Sequence, residues 1–312
     1  LTASDRPVAI DDSPDAAAPT GGGPAPEGDA PAPGAGVAAE KKGTDWWAEV
    51  KAIFWLIVAV LVFHSLIAKP FYIPSESMMP GLLTGDRLVV SKYPYGWSWV
   101  SPSFHILPPV SGRLLGQLPE RGDVVIVTPP GGTSDYIKRV IGLPGDRIEM
   151  IAGQLRINGR PVPRERRPDA VFPIDANLPC NEDGGMHQVR GAGGALLCRL
   201  PVVRETLPNG RVYDTIDIGQ TPADDFAPVV IPPGHVWLMG DNRDHSADSR
   251  FPLDQQGLGG PVPWENIGGR AEMITFSLDG TSQYYNPISW FTALRGGRAG
   301  TSLHPERVAP QR

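Results

Sequence analysis

A serine at position 77 and two candidate bases, Lys138 and His245, are the residues of this chain best suited to chemistry. Ser77 sits in Pro74-Ser75-Glu76-Ser77-Met78-Met79-Pro80, just after an apolar run. A serine hydroxyl is a poor nucleophile until a neighbour takes its proton, so the question is which base serves it. Histidine is the usual answer. His64 lies in the apolar run, His105, His187 and His304 fall in loop or tail segments, and His235 follows Pro-Pro-Gly. Only His245, in Gly240-Asp241-Asn242-Arg243-Asp244-His245-Ser246-Ala247-Asp248-Ser249-Arg250, has neighbours of the kind a triad uses, so a Ser77/His245/Asp arrangement stays open. Lys138 competes because it follows Tyr136 and Ile137 in an apolar strand, where desolvation lowers an ammonium pKa towards neutrality and frees the amine to act as a base. On residue types alone it reads more simply as a strand-end lysine reaching back to water.

These residues need elements to hold them. Residues 1–45 are dominated by Ala, Pro, Gly and Asp and are expected to form a disordered tail. The run AIFWLIVAVLVFHSLIA that follows, with Trp46 and Trp47 before it and Phe71-Tyr72 after it, is long enough for one transmembrane helix, and residues 46–69 are read as a membrane anchor. Lys41, Lys42 and Lys51 on one side against Lys69 on the other put the N-terminus in the cytoplasm and the body outside. The long tail argues against a cleaved leader. A buried core helix is the remaining competitor, since His64 and Ser65 interrupt the apolar surface.

Beyond Pro80 the pattern is short apolar runs bounded by turn residues: 87–91, 123–128, 136–141, 147–150, 155–157, 229–231, 236–239 and 271–276. The body is therefore mostly β, with Asn158-Gly159 as a tight hairpin turn. Residues 96–117 form either a protruding hairpin at the membrane surface or an ordinary loop. Residues 151–234 look like an insertion that divides a core of 70–150 and 235–298. Gln283 to Phe291 reads as a short helix whose aromatics either dip into lipid headgroups or, as the safer expectation, pack in the core, and 299–312 as a flexible tail. Cys180 and Cys198 are an even pair, expected to form a disulfide if that region lies outside the cytoplasm.

Composition removes several classes. With 28 basic against 34 acidic residues the net charge is −6, so no overall basic field invites nucleic acid. Neither cysteine belongs to a CxxC pair, so no metal site is expected. The segment 240–250 lacks the central Gly and closing Glu of an EF-hand loop, and no Gly-Lys-Ser/Thr forms a P-loop.

Four ordered blocks carry a resemblance: Pro74 to Pro80 with Gly85-Asp86, then Arg121-Gly122-Asp123-Val124-Val125, then Asp135-Tyr136-Ile137-Lys138-Arg139-Val140-Ile141-Gly142-Leu143-Pro144-Gly145-Asp146, then Gly240 to Arg250. Together they closely resemble the sequence boxes of bacterial type I signal peptidases. The resemblance implies a signal-peptidase-like β catalytic core with an inserted second β subdomain, preceded by one transmembrane helix. It implies a Ser/Lys peptidase without metal or cofactor, with Ser77 as nucleophile, Lys138 as general base, and the Ser75 hydroxyl joining the Ser77 backbone N–H in the oxyanion hole. It implies that Ser246 orients the lysine, that Asp248, Arg250 and Arg139 support the site, and that Phe71, Ile73, Pro74, Leu82, Tyr136 and Ile137 line pockets admitting only small residues. The implied partners are secretory precursors with A-x-A-like cleavage sites, the lipid bilayer and a nearby secretion translocon. The implied location is the inner membrane, with a periplasmic or otherwise extracytoplasmic body. A pilin-transfer type of Ser/Lys peptidase and an inactive tethered binding protein are the alternatives. The chain departs from the family at Glu76, often Gly or another small residue, and at Gly81, commonly Thr; Glu76 adds a charge near the cleft that bears on precursor preference.

Overall fold

An antiparallel seven-stranded sheet carries the lysine and starts the turn that carries the serine. Its order is Ala68–Tyr72, Asp86–Ser91, Ile267–Ser277, Val124–Val127, Tyr136–Gly142, His235–Met239 and Val262–Pro263. The computed structural model describes residues 45–104, 107–180 and 186–308, so the expected disordered tail lies outside the described residues except for its last position. In Val124–Val127 all residues are buried because apolar clusters cover both faces. Val124 and Ile126 pack with Ile73, Met78, Leu88 and Ile274, while Val125 and Val127 pack with Tyr95, Val140, Val236 and Leu238.

Two further sheets follow from the middle of the chain. One runs Phe226–Val230, Arg147–Ile151, Gln154–Ile157, Arg160–Pro161, and its tight turn is Asn158-Gly159, with φ of 54° and 76°. The positive φ at both positions is what a two-residue type I′ turn needs. The other runs Glu306–Arg307, Arg211–Ile216, Leu196–Thr206, Arg164–Pro173, with His187–Arg190 also paired to Leu196–Thr206. A disulfide joins Cys180 to Cys198, and the pair packs with Met79, Leu83, Leu200 and Ile216.

The apolar run forms one helix, Trp46–Leu66, of 21 residues with none buried, which removes the core-helix alternative. At 1.5 Å per residue it is about 31 Å long, the thickness of a bilayer core. It stops at Leu66, short of the expected 69, and strand Ala68–Tyr72 begins; Lys69 precedes Pro70, and a residue before proline is driven to extended geometry. Trp97 Nε1 donates to Leu66 O at 2.8 Å and ties the following loop to the helix end.

Two expectations at the C-terminal end need correction. Tyr284, Tyr285 and Phe291 are exposed around the short helix Pro287–Thr292 rather than packed in the core. Residues 300–308 are docked, not free: Gly300 N donates to Ile274 O, Leu303 N donates to Glu272 O, and Glu306–Arg307 pairs with Arg211 and Val212. Strand Ile267–Ser277 pairs with Val124–Val127 only as far as Arg270, which leaves one edge of its remainder for this segment to take. Positions 309–312 lie outside the described residues.

Candidate active site

Three elements converge on Ser77. The first is the turn after Ala68–Tyr72, closed by Ile73 N donating to Asp86 O and Gly85 N donating to Ile73 O, at 3.0 and 2.9 Å. Met78 and Met79 on this turn are buried in two different clusters, and that pins the backbone on both sides just past the serine. Asp86 tightens it by accepting from Leu83 N at 2.8 Å and from Arg298, whose Nη2 also donates to Gly81 O.

The second element is strand Tyr136–Gly142, where Lys138 pairs with Val125. Lys138 Nζ donates to Ser77 Oγ at 3.0 Å, and both residues are buried, at 4% and 5% exposure. Burial is the main cause that pushes the Lys138 pKa down to about 8; Asp248 and Asp241 pull it up, and Arg250 pushes it down. The next residue, Arg139, makes a buried bidentate pair with Asp241 at 2.7 and 2.6 Å and donates to Gly122 O.

The third element is the 240–250 loop, built around Asp248. Its carboxylate accepts from Gly240 N, Ser246 Oγ and Arg250, all within 3.1 Å. Burial pushes the Asp248 carboxyl up, but the Arg250 charge and hydrogen bonds outweigh it and hold the group below the usual carboxylate range. Asn242 stitches the loop to the turn: its N donates to Ser77 O at 3.1 Å and its Nδ2 to Glu76 O at 3.2 Å.

Phe71, Ile73, Pro74 and Ser75 form one wall of a cleft of about 390 Å³ at Ser77 and Lys138, and Tyr136 and Ile137 the other, with His245, Ala247 and Gln256 also lining it. A larger hollow of about 590 Å³, between 160–165 and 206–210, holds none of these residues. Ser75 Oγ lies 3.4 Å from Ser77 Oγ. Leu82 does not line the cleft. It is 1% exposed and packs with Ile73 and Met78, because the turn directs it into the core. Ser246 is buried and donates to Asp248, while Lys138 bonds to Ser77; the two meet the same carboxylate's field rather than each other. The imidazole of His245 pairs with Glu76, at 3.4 Å, and not with the serine.

Motif reading passed over Gly240. A Cβ there would stand 2.1 Å from Ser246 Oγ and 2.5 Å from Ser77 O, so only glycine lets the loop reach Ser77. Arg298 was missed too, since nothing in sequence ties so distant an arginine to Asp86.

The comparisons fall on the same segments. The family described as "Signal peptidase, peptidase S26" matches residues 46–276. Proteins named Signal peptidase I from Rickettsia typhi and Rickettsia prowazekii are 35% and 34% identical over 238 residues, 73% of this chain and 80% of theirs. One from Rickettsia akari is 33% identical over 246 residues, 75% of this chain and 79% of its own. A solved signal peptidase I from Enterococcus faecalis V583 aligns with 49% of this chain and 97% of its own at 22% identity and a TM-score of 0.26, a likeness that carries no argument. The class is that of a peptidase, a hydrolase with a mostly β body behind an apolar helix. The chain belongs to the signal peptidase family, peptidase S26.

Proposed function

We propose that this chain is a membrane-anchored endopeptidase that cuts signal peptides from secretory precursors after small residues, with Ser77 as nucleophile and Lys138 as general base. The observation that carries the reading is the buried 3.0 Å contact between Lys138 Nζ and Ser77 Oγ. Once the amine is neutral, the same contact lets the Ser77 O–H donate to it. Ser77 Oγ attacks the scissile carbonyl while Lys138 takes its proton, and the lysine returns that proton to the leaving amine as the C–N bond breaks. Water, deprotonated by the same lysine, then hydrolyses the acyl ester. The Ser75 hydroxyl and the Ser77 backbone N–H donate to the oxyanion, the kind of preorganised help that dominates acyl transfer. Asp248, Arg250 and Arg139 hold the loop and strand in register, and Ser246 acts on the lysine through Asp248.

A substrate strand would add beside residues 71–75 and 134–138, with main-chain bonds for affinity. Phe71, Ile73, Pro74, Tyr136 and Ile137 leave room there for small side chains, which supports cleavage at A-x-A-like sites. The apolar helix ends a few residues before the turn that carries Ser77, which supports a site held close to a membrane surface. In this reading that surface is the outer face of the inner membrane, close to a translocon, with the lysine bias putting the N-terminus in the cytoplasm. In this reading 70–150 and 235–298 are the catalytic core and 151–234 its insertion.

The test is cleavage of a model precursor by purified protein. Ser77→Ala and Lys138→Ala should each abolish cutting while the circular dichroism of the body is unchanged. Substantial turnover by Lys138→Ala refutes the pairing, and capture of precursor without cleavage refutes the peptidase reading.

A further inference from the structure

The cleft is not electrically uniform. Its lining holds three titratable side chains that can carry charge near neutrality: Lys138 at the reacting centre, Asp135 on the 134–138 wall, and His245 on the loop. Asp135 accepts from Thr128 Oγ1 at 2.8 Å, and Lys138 is used by the chemistry. His245 has no part in the proposed mechanism, yet its side chain is 32% exposed and faces the space where substrate must lie. The charged groups that face it are Glu76 from the nucleophile turn, at 3.4 Å from Nδ1, and Asp244 from its own loop. Asp244 is turned away to accept from the backbone N of Ile218 and Gly219. His245 lines the cleft and Glu76, which pairs with it, is not among the lining residues, so a bound peptide meets the imidazole rather than the carboxylate.

With the substrate strand proposed above, the two strand walls take residues before the scissile bond, which leaves the loop carrying His245 and Ala247 to meet residues after it. We propose that His245, held by Glu76, is a specificity-determining residue that favours an acidic side chain immediately after the scissile bond. The inference rests on signal-peptide cleavage at Ser77. The hydrogen bond to Glu76 raises the His245 pKa, with burial opposing, so the imidazole stays cationic to higher pH than an ordinary histidine. The preference is therefore present at acidic pH and lost as pH rises through that pKa.

The experiment measures kcat/KM across pH for peptides identical except for Glu, Gln or Lys after the scissile bond. It uses the full chain as wild type, His245→Gln and Glu76→Gln. Taking the Glu-to-Lys ratio cancels the Lys138 titration, which all the peptides share. The wild-type ratio should be about fivefold at acidic pH, the size of one partly exposed charge pair, and fall to unity or below at alkaline pH, where the Glu76 carboxylate is left without its cation. His245→Gln should abolish the acidic-pH preference and leave the ratio at or below unity at every pH, and Glu76→Gln should move its decline to lower pH. A flat wild-type ratio overturns the proposal whether or not the variants fold, and so does a wild-type profile retained in His245→Gln. If the Gln peptide is cut, the peptidase reading stands whatever the ratio does; if it is not cut, that reading fails first and takes this one with it.

Discussion

Ser77 and Lys138 sit 61 positions apart in sequence and within one hydrogen bond in space, and the geometry around them depends on groups outside the proposed reaction. Gly240 is the sharpest case. Gly240→Ala should cut kcat/KM about a hundredfold, since displacing catalytic groups by an ångström costs that much, and should lower stability by about 1–3 kcal/mol, the cost of overpacking a buried site. Wild-type activity in that variant would mean the loop can back away without disturbing Ser77. The serine and lysine were legible as residue types in a motif, and it was the resemblance of the ordered blocks rather than residue type that chose Lys138 over His245, because both are plausible bases until their neighbours are known. Leu82 was misread for a similar reason: an apolar residue beside a nucleophile suits a pocket wall and a core equally, and only the direction of the turn decides.

The elements were legible where burial leaves a pattern. Strands such as Val124–Val127 and His235–Met239 show as apolar runs because both faces are covered. Arg164–Pro173 does not, because no residue in it is buried, and its partner Leu196–Thr206 alternates too loosely to read. What holds these strands to the site is a buried network: Arg243 donates to Glu205 at 2.8 and 2.7 Å and to Gly240 O, and Tyr213 OH donates to Glu205. Both charges are essentially inaccessible, so Glu205→Gln should destabilise the protein by about 3–5 kcal/mol in urea unfolding, the penalty for stranding a buried partner. A loss below about 1 kcal/mol would show that Arg243 finds another acceptor. Replacing Cys180 and Cys198 with serine removes a cross-link of separation 18 and should cost about 3 kcal/mol, read in the same experiment.

At the scale of the whole molecule, the apolar helix and the site belong together: helix Trp46–Leu66 leads within a few residues to the strand and turn that present Ser77. The helix was legible from hydropathy alone, whereas the docked segment 300–308 was not, since its polar sequence is held by backbone bonds to an edge no sequence pattern announces. The full chain should stay with lipid vesicles through an alkaline carbonate wash; release would contradict a spanning helix. The most direct test of the account is the pH dependence of kcat/KM on a neutral precursor peptide, because the base must be uncharged to act. Burial places Lys138 at about 8, so the rate should climb with pH and level off above about 8, and should vanish in Lys138→Met. A rise centred in the ordinary imidazole range that disappears in His245→Gln would contradict it and hand the proton transfer to the histidine.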